Sequence, residues 1–174
     1  MAIPTLIIGL GGLGHQVVSE VKGQILDSHG GQLPSEIRFL VFDTIQEGQE
    51  SQTISRRIEP SEYCFIGGDL SGYVREIASG RYPEISSWFA SENYLRSLHR
   101  AAFELAHGSG QSRQFARLAL FRDLGRFSES VAYRYLRAAI GSCLRAGKTL
   151  RLQAFLISSL AGGTGSGILL VHSG

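Results

Sequence analysis

Apolar positions along this chain fall into two rhythms, short unbroken runs and stripes at helical spacing, and the two alternate. Thr5–Gly9 is a short apolar run with turn glycines behind it, after which Val17, Val18, Val21 and Ile25 recur at helical spacing. That predicts a strand, a loop and a helix. Ile37–Phe42 is apolar throughout except for Arg38, as in a strand buried on both faces of a parallel sheet, and Asp43 closes it. Glu62–Ile66 reads as a third strand, ended by Gly67-Gly68-Asp69. Residues 71–107 read as mostly helical, an insertion with Tyr73 and Ile77 one turn apart and Tyr94, Leu98 and Leu105 on one stripe beyond a break at Pro83. Gly108-Ser109-Gly110 ends it, and Phe115, Leu118 and Ala119 open an amphipathic segment running to about Leu124. Ser128 is the expected N-cap of a long helix carrying Leu136, Ala139, Ile140 and Cys143 on one face and stopping at Gly147. Leu150–Leu160 supplies a buried strand, a glycine-rich loop follows, and Ile168–Val171 begins another helix.

Strands alternating with helices, with glycine-rich connections after the strands, predict an α/β fold. Its form is a three-layer, Rossmann-like domain over residues 1–174 with a mostly parallel sheet flanked by helices. In such sheets the ligand lies beyond the carboxyl ends of the strands, the edge both glycine loops occupy.

Composition narrows the class. The chain has 174 residues, 43% of them hydrophobic, enough for one core. No apolar stretch approaches the roughly 20 residues of a membrane span. The N-terminus lacks basic residues ahead of its apolar run, so a cytoplasmic location is expected. Cys64 and Cys143 have apolar neighbours and read as buried free thiols, and no metal site is expected. Residues 1–95 hold six Lys/Arg and twelve Asp/Glu, whereas residues 96–151 hold eleven and three. The second half is therefore the anion-facing one, although Arg134, Arg137 and Arg145 fit a solvated helix face. No interleaved aromatic platform marks a nucleic-acid site.

The chemistry lies in the glycine loops. Gly9-Leu10-Gly11-Gly12-Leu13-Gly14 satisfies G-x-G-x-x-G between strand and helix, where the backbone can turn tightly and approach phosphate oxygens. Asp43 fits an acceptor for ribose hydroxyls. These two features alone favour a dinucleotide or adenylate site. The second loop, Gly162-Gly163-Thr164-Gly165-Ser166-Gly167, shifts the balance. Its successive backbone N–H groups and two hydroxyls suit the outer phosphates of a triphosphate, against the plainer reading of a small-residue turn packing a helix close to a sheet. No P-loop sequence occurs.

Ala161 with Gly162–Gly167 resembles the tubulin signature G-G-G-T-G-[ST]-G of tubulin and FtsZ, with alanine in place of the first glycine. Gly11-Gly12-Leu13-Gly14-His15-Gln16 is similar to the first nucleotide loop of tubulins, where the family's glutamine, here Gln16, contacts nucleotide and metal. His15 departs from the usual asparagine or small residue. Gly108-Ser109-Gly110-Gln111-Ser112 followed by Ala116-Arg117-Leu118-Ala119 resembles the third FtsZ loop. Segment 71–107 is unlike ordinary FtsZ and suggests a divergent bacterial tubulin-like group.

The resemblance implies a guanine nucleotide, GTP or GDP, with Mg²⁺ held through it, and self-association of the full-length parent. Gly11, Gly12 and Gly14 would cradle the α- and β-phosphates. Gly110 and Arg117 would approach the γ-phosphate, with Gly108 and Ser109 of the same loop also at the nucleotide, and Gly162–Gly167 would wrap the β/γ end. Asp43 and Thr44 resemble the post-strand loop near ribose. Asp69 fits a surface turn, or an orienter of metal-bound water or ribose. The chain ends seven residues after Gly167, before the helix and acidic loop with which the family completes hydrolysis, so a truncated domain is expected and no catalytic residue is assigned. Two alternatives stay open: an adenine-nucleotide enzyme, either adenylating or NAD-dependent, built on the first loop, and an interaction module that keeps the fold without turnover.

Overall fold

The computed structural model describes residues 3–46, 57–89 and 112–169. Four strands, β1 (Thr5–Leu10), β2 (Ile37–Asp43), β3 (Tyr63–Phe65) and β4 (Gln153–Ser158), form one sheet in the order β3-β2-β1-β4. Every pairing is parallel. Thr5 lies opposite both Ile37 and Gln153, and Leu10 opposite both Phe42 and Ser158, so three strands end at one level. Whatever follows β1, β2 and β4 therefore leaves from the same edge.

The period of two along the strands splits the core between two faces. Leu6, Ile8, Leu10, Leu40, Phe42 and Cys64 face one way and pack on Ala132, Ala139 and Cys143 of helix α5 (Val131–Gly147). Ile7, Phe39, Val41 and Tyr63 face the other way and meet Val18 of helix α1 (Gly11–Ser28). Each fully buried side chain of this size stabilises the fold by about 1.5–3 kcal/mol. A satellite cluster joins helices α2 (Ser71–Ala78), α3 (Pro83–Ser86) and α4 (Arg113–Leu124) through Leu70, Val74, Ile77, Ile85, Phe115 and Leu118. The last helix, α6, is described over Gly163–Leu169. The architecture is the expected helix-flanked parallel α/β sheet.

Several details differ from the sequence reading. The strand expected over Leu150–Leu160 is shorter and is not buried. Gln153, Ala154, Phe155 and Leu156 are exposed because β4 is the edge of the described sheet, with β1 its sole strand partner there. Helix α5 starts after Ser130 instead of Ser128, which sits in a 3₁₀ turn, Phe127–Glu129. Asp123, at the end of α4, sets that start. Its Oδ1 accepts from Val131 N at 3.0 Å, and its Oδ2 accepts from Ala132 N at 2.9 Å and from Ser130 Oγ at 2.7 Å. The helix runs through Gly147 and ends on a left-handed Lys148, φ 48°. Residues 71–107 form helices only at 71–78 and 83–86 among the described residues, and Tyr94, Leu98 and Leu105 lie outside them. Cys64 and Cys143 are free and buried, as expected. Among the described residues no helix is long and apolar enough to cross a membrane.

Candidate nucleotide site

Helix α1 follows β1 without an intervening residue, and its N-terminus is bare. The N-cap residue is Leu10, which has no side chain able to accept from the first-turn amides, and no acidic residue occupies that turn. Helices α4 and α5, by contrast, are capped by Ser112 and Ser130. The first N–H groups of an 18-residue helix, carrying roughly half a positive charge, thus face the strand-end edge with no side-chain acceptor of their own. Gly12, Leu13 and Gln16 are exposed there.

The glycines of the two loops do different jobs. Gly11 has φ +71°, and a Cβ on it would stand 2.8 Å from Gly165 N. A Cβ on Gly165 would stand 2.6 Å from both Leu10 O and Ser158 Oγ, and one on Gly14 2.6 Å from Ile157 O. These glycines let the two strand–helix turns abut. Gly167 lets α6 meet the Arg113 backbone of α4. Around Gly12 nothing lies within 4 Å of the Cβ position, and at Gly162 the nearest atom is Ser159 Cβ at 3.8 Å. Packing therefore accounts for Gly11, Gly14, Gly165 and Gly167, but gives no reason for glycine at 12 or 162.

The second loop is more helical than the sequence suggested, since Gly163, Thr164, Gly165, Ser166 and Gly167 all belong to α6 and are buried. Ala161 and Gly162 form the turn before it, with Ala161 N donating to Ser159 Oγ at 3.1 Å. The hydroxyls are engaged by the protein. Ser166 Oγ donates to the Gly162 carbonyl one turn back. The Thr164 and Thr44 hydroxyls share a 2.8 Å hydrogen bond, both residues being buried. Any contact from this loop to a ligand thus falls mainly to backbone N–H groups.

Asp43 is buried too, and its Oδ1 accepts from Thr44 N at 2.6 Å and Ile45 N at 3.4 Å. The Ile45 carbonyl accepts from Tyr63 Oη at 2.8 Å, and the Tyr63 ring lies 5.3 Å from that of His15. The loop after β2 is thereby tied to α1, β3 and α6.

The remaining expected site residues are dispersed. Gly108, Ser109 and Gly110 lie outside the described residues. Arg117 stacks its guanidinium on Trp88, 4.2 Å from the ring centroid, with Phe121 at 5.7 Å. Asp69 accepts from Ser71 N at 2.8 Å and Ser71 Oγ at 2.9 Å, the geometry of a turn that leads into α2. Arg122 clamps the same turn, donating to the carbonyls of Gly67 and Asp69 at 2.7 Å each, and burial pushes its pKa down. Two contributions escaped the sequence reading. Arg113 Nη2 donates to Leu160 O at 2.9 Å, joining α4 to the turn before Gly162. Lys22 is buried on α1 and pairs with Glu62 at 2.5 Å. The helical stripe Gly11, Gly14, Val18, Lys22 was the available signal for the latter, obscured by its lack of large apolar residues.

Searches among curated proteins and among solved structures return no match to this chain. A family model described as "Tubulin like" matches residues 6–171, from β1 through both glycine turns. With a match of that extent over an all-parallel sheet whose strand ends carry both turns, the chain belongs to the tubulin-like family.

Proposed function

We propose that this chain is a GTP-binding domain that holds the outer phosphates between the N-terminus of α1 and the turn before α6. The observation that carries this is the pairing of an uncapped 18-residue helix with Gly12, a glycine that packing does not require. Backbone N–H groups are strong donors to phosphate, and a Cβ at position 12 would intrude where oxygens approach. Family membership supports guanine as the base and self-association of the full-length protein. Gln16, exposed on α1, is the side chain that would meet Mg²⁺ carried on the nucleotide, which would neutralise phosphate charge. This chain's part is to position the phosphates with backbone donors and to keep the two turns in register through Gly11, Gly165 and the Thr44–Thr164 bond. Ribose is common to guanine and adenine nucleotides, and Asp43, buried with its Oδ1 on the Thr44 and Ile45 amides, serves the turn after β2 in either case.

Calorimetric titration with GTP, ATP and NAD in Mg²⁺ tests the reading. Selective GTP binding is expected. Preference for ATP or NAD would overturn the guanine assignment, and no binding by a folded chain would overturn the site. Light scattering of the full-length protein with GTP against GDP tests assembly.

A further inference from the structure

We infer that a second ligand site, for a small organic monocarboxylate, lies at the end of β2 remote from the nucleotide edge, with Arg38 as its anion receptor. Arg38 interrupts the apolar run of β2 and shares a strand face with Leu40 and Phe42, the face turned towards α5. It pairs with Leu6 near the start of β1, ~16 Å of strand before Asp43. The side chain is half-buried, and a guanidinium keeps its charge at any ordinary pH. Its Nε donates to Ser142 Oγ of α5 at 3.0 Å and its Nη1 to the Ile37 carbonyl at 2.7 Å. Both acceptors are neutral, and among the described residues no carboxylate pairs with Arg38. A half-buried cation without a counter-charge is costly, and an anion brought to it would relieve that cost. The two hydrogen bonds fix the plane of the guanidinium, so Nη2 is presented to an incoming carboxylate without further ordering.

The space beside Arg38 has the size of a ligand site. Strand β3 pairs only with Val41–Asp43, so among the described residues the first half of β2 has no strand on that side. A cavity of about 720 Å³ opens there between β2, α5 and the turn before β3. Sites for small molecules span roughly 300–1,000 Å³ and combine an apolar lining with a few fixed polar groups. Leu33, Phe39, Leu40, Ala138 and Ala139 supply the apolar lining. Arg134, Ala138 and Ser142 recur every four residues, so one stripe of α5 forms a wall of the cavity and ends on the serine that holds Arg38. Glu59 and Glu62 also border it. Glu62 is matched by Lys22 at 2.5 Å, and Glu59 is exposed and 4.0 Å from the same lysine. A second negative charge on the ligand would meet these carboxylates, which favours one carboxylate head over two. The head belongs on Arg38 and the apolar body on Phe39, Leu40 and the two alanines. This site stands apart from the nucleotide reading and does not depend on it.

The test titrates 2-naphthoate and its uncharged analogue 2-naphthamide into the isotope-labelled chain and follows backbone amide shifts by NMR. Naphthoate should shift Leu33, Phe39, Ala138 and Ser142 saturably, and naphthamide should bind about tenfold or more weakly. Arg38→Met keeps the length of the side chain and removes its charge. It should lose affinity by the same factor and melt no lower than the unaltered chain, because an uncompensated charge is gone. Ala138→Trp fills the cavity with Arg38 left in place and should abolish binding. Added GTP with Mg²⁺ should leave the naphthoate shifts unchanged. Equal affinity for naphthamide, full affinity in Arg38→Met, or shifts centred on the exposed face of β4 would overturn the inference. So would displacement of naphthoate by GTP, which would put the carboxylate at the nucleotide edge, or a failure to saturate at millimolar naphthoate.

Discussion

At the residue scale, the glycines of the two turns separate by what a methyl group would meet. Gly12→Ala fills open space in a helix, so it should keep or raise stability by about 0.5–1 kcal/mol. It should also weaken GTP binding, because the methyl stands among the donors. Gly165→Ala puts a carbon 2.6 Å from Leu10 O and should cost about 1–3 kcal/mol or more. Urea unfolding and nucleotide titration on the same two variants check the division; it fails if Gly12→Ala unfolds as readily as Gly165→Ala. Thr44 has no exposed surface and acts through Thr164. Thr44→Val should cost about 0.5–1.5 kcal/mol with a further loss of nucleotide affinity, and Thr44→Ser should restore both. A valine variant with unchanged affinity would show that the bond does not position the turn.

At the scale of elements, the helix starts differ in what satisfies their first N–H groups. The α5 N-terminus is satisfied twice, by Ser130 Oγ accepting from Tyr133 N at 3.0 Å and by the Asp123 carboxylate from the preceding helix. Asp123→Ala removes three hydrogen bonds in a buried setting and should cost about 2 kcal/mol, readable as a lowered melting temperature. A shift within experimental error would mean that Ser130 alone suffices. Helix α1 is the reverse case, with no side-chain cap on its first N–H groups. The strand–turn–helix order around α1 was legible because apolar runs and glycine clusters are local signals. The cap of α5 was not, since Asp123 lies seven residues from Ser130 and meets it only after the chain turns back.

At the scale of the whole molecule, buried groups set the response to pH. Burial, with the charge of Asp123 adding to it, pushes the Cys64 thiol from its ordinary 9.0 up to about 12. In the unfolded chain the thiol ionises near 9.0 while the folded protein keeps the proton, so the unfolded state binds fewer protons and stability falls as pH rises from 9 towards 12. Below 9 the contribution is complete. Tyr73, raised from 10.0 to about 12 chiefly by burial, acts in the same direction. Urea midpoints taken below and above pH 9 should therefore fall, and less steeply in Cys64→Ala; identical slopes would remove Cys64 as a source.

The sequence by itself determined the alternating elements, the parallel α/β class, the two glycine turns and the family, because all of these rest on local spacing and on contiguous motifs. Only the tertiary structure decided which glycine packs and which stays open, since that depends on atoms brought from Leu10, Ile157 and Ser158 to the turns. The same holds for Thr44 meeting Thr164 across 120 residues, for Lys22 finding Glu62, and for Arg117 lying on Trp88 while Arg113 reaches the turn. Side-chain partners are chosen by packing in three dimensions, and a one-dimensional pattern carries the periodicity of an element but not the identity of its neighbours.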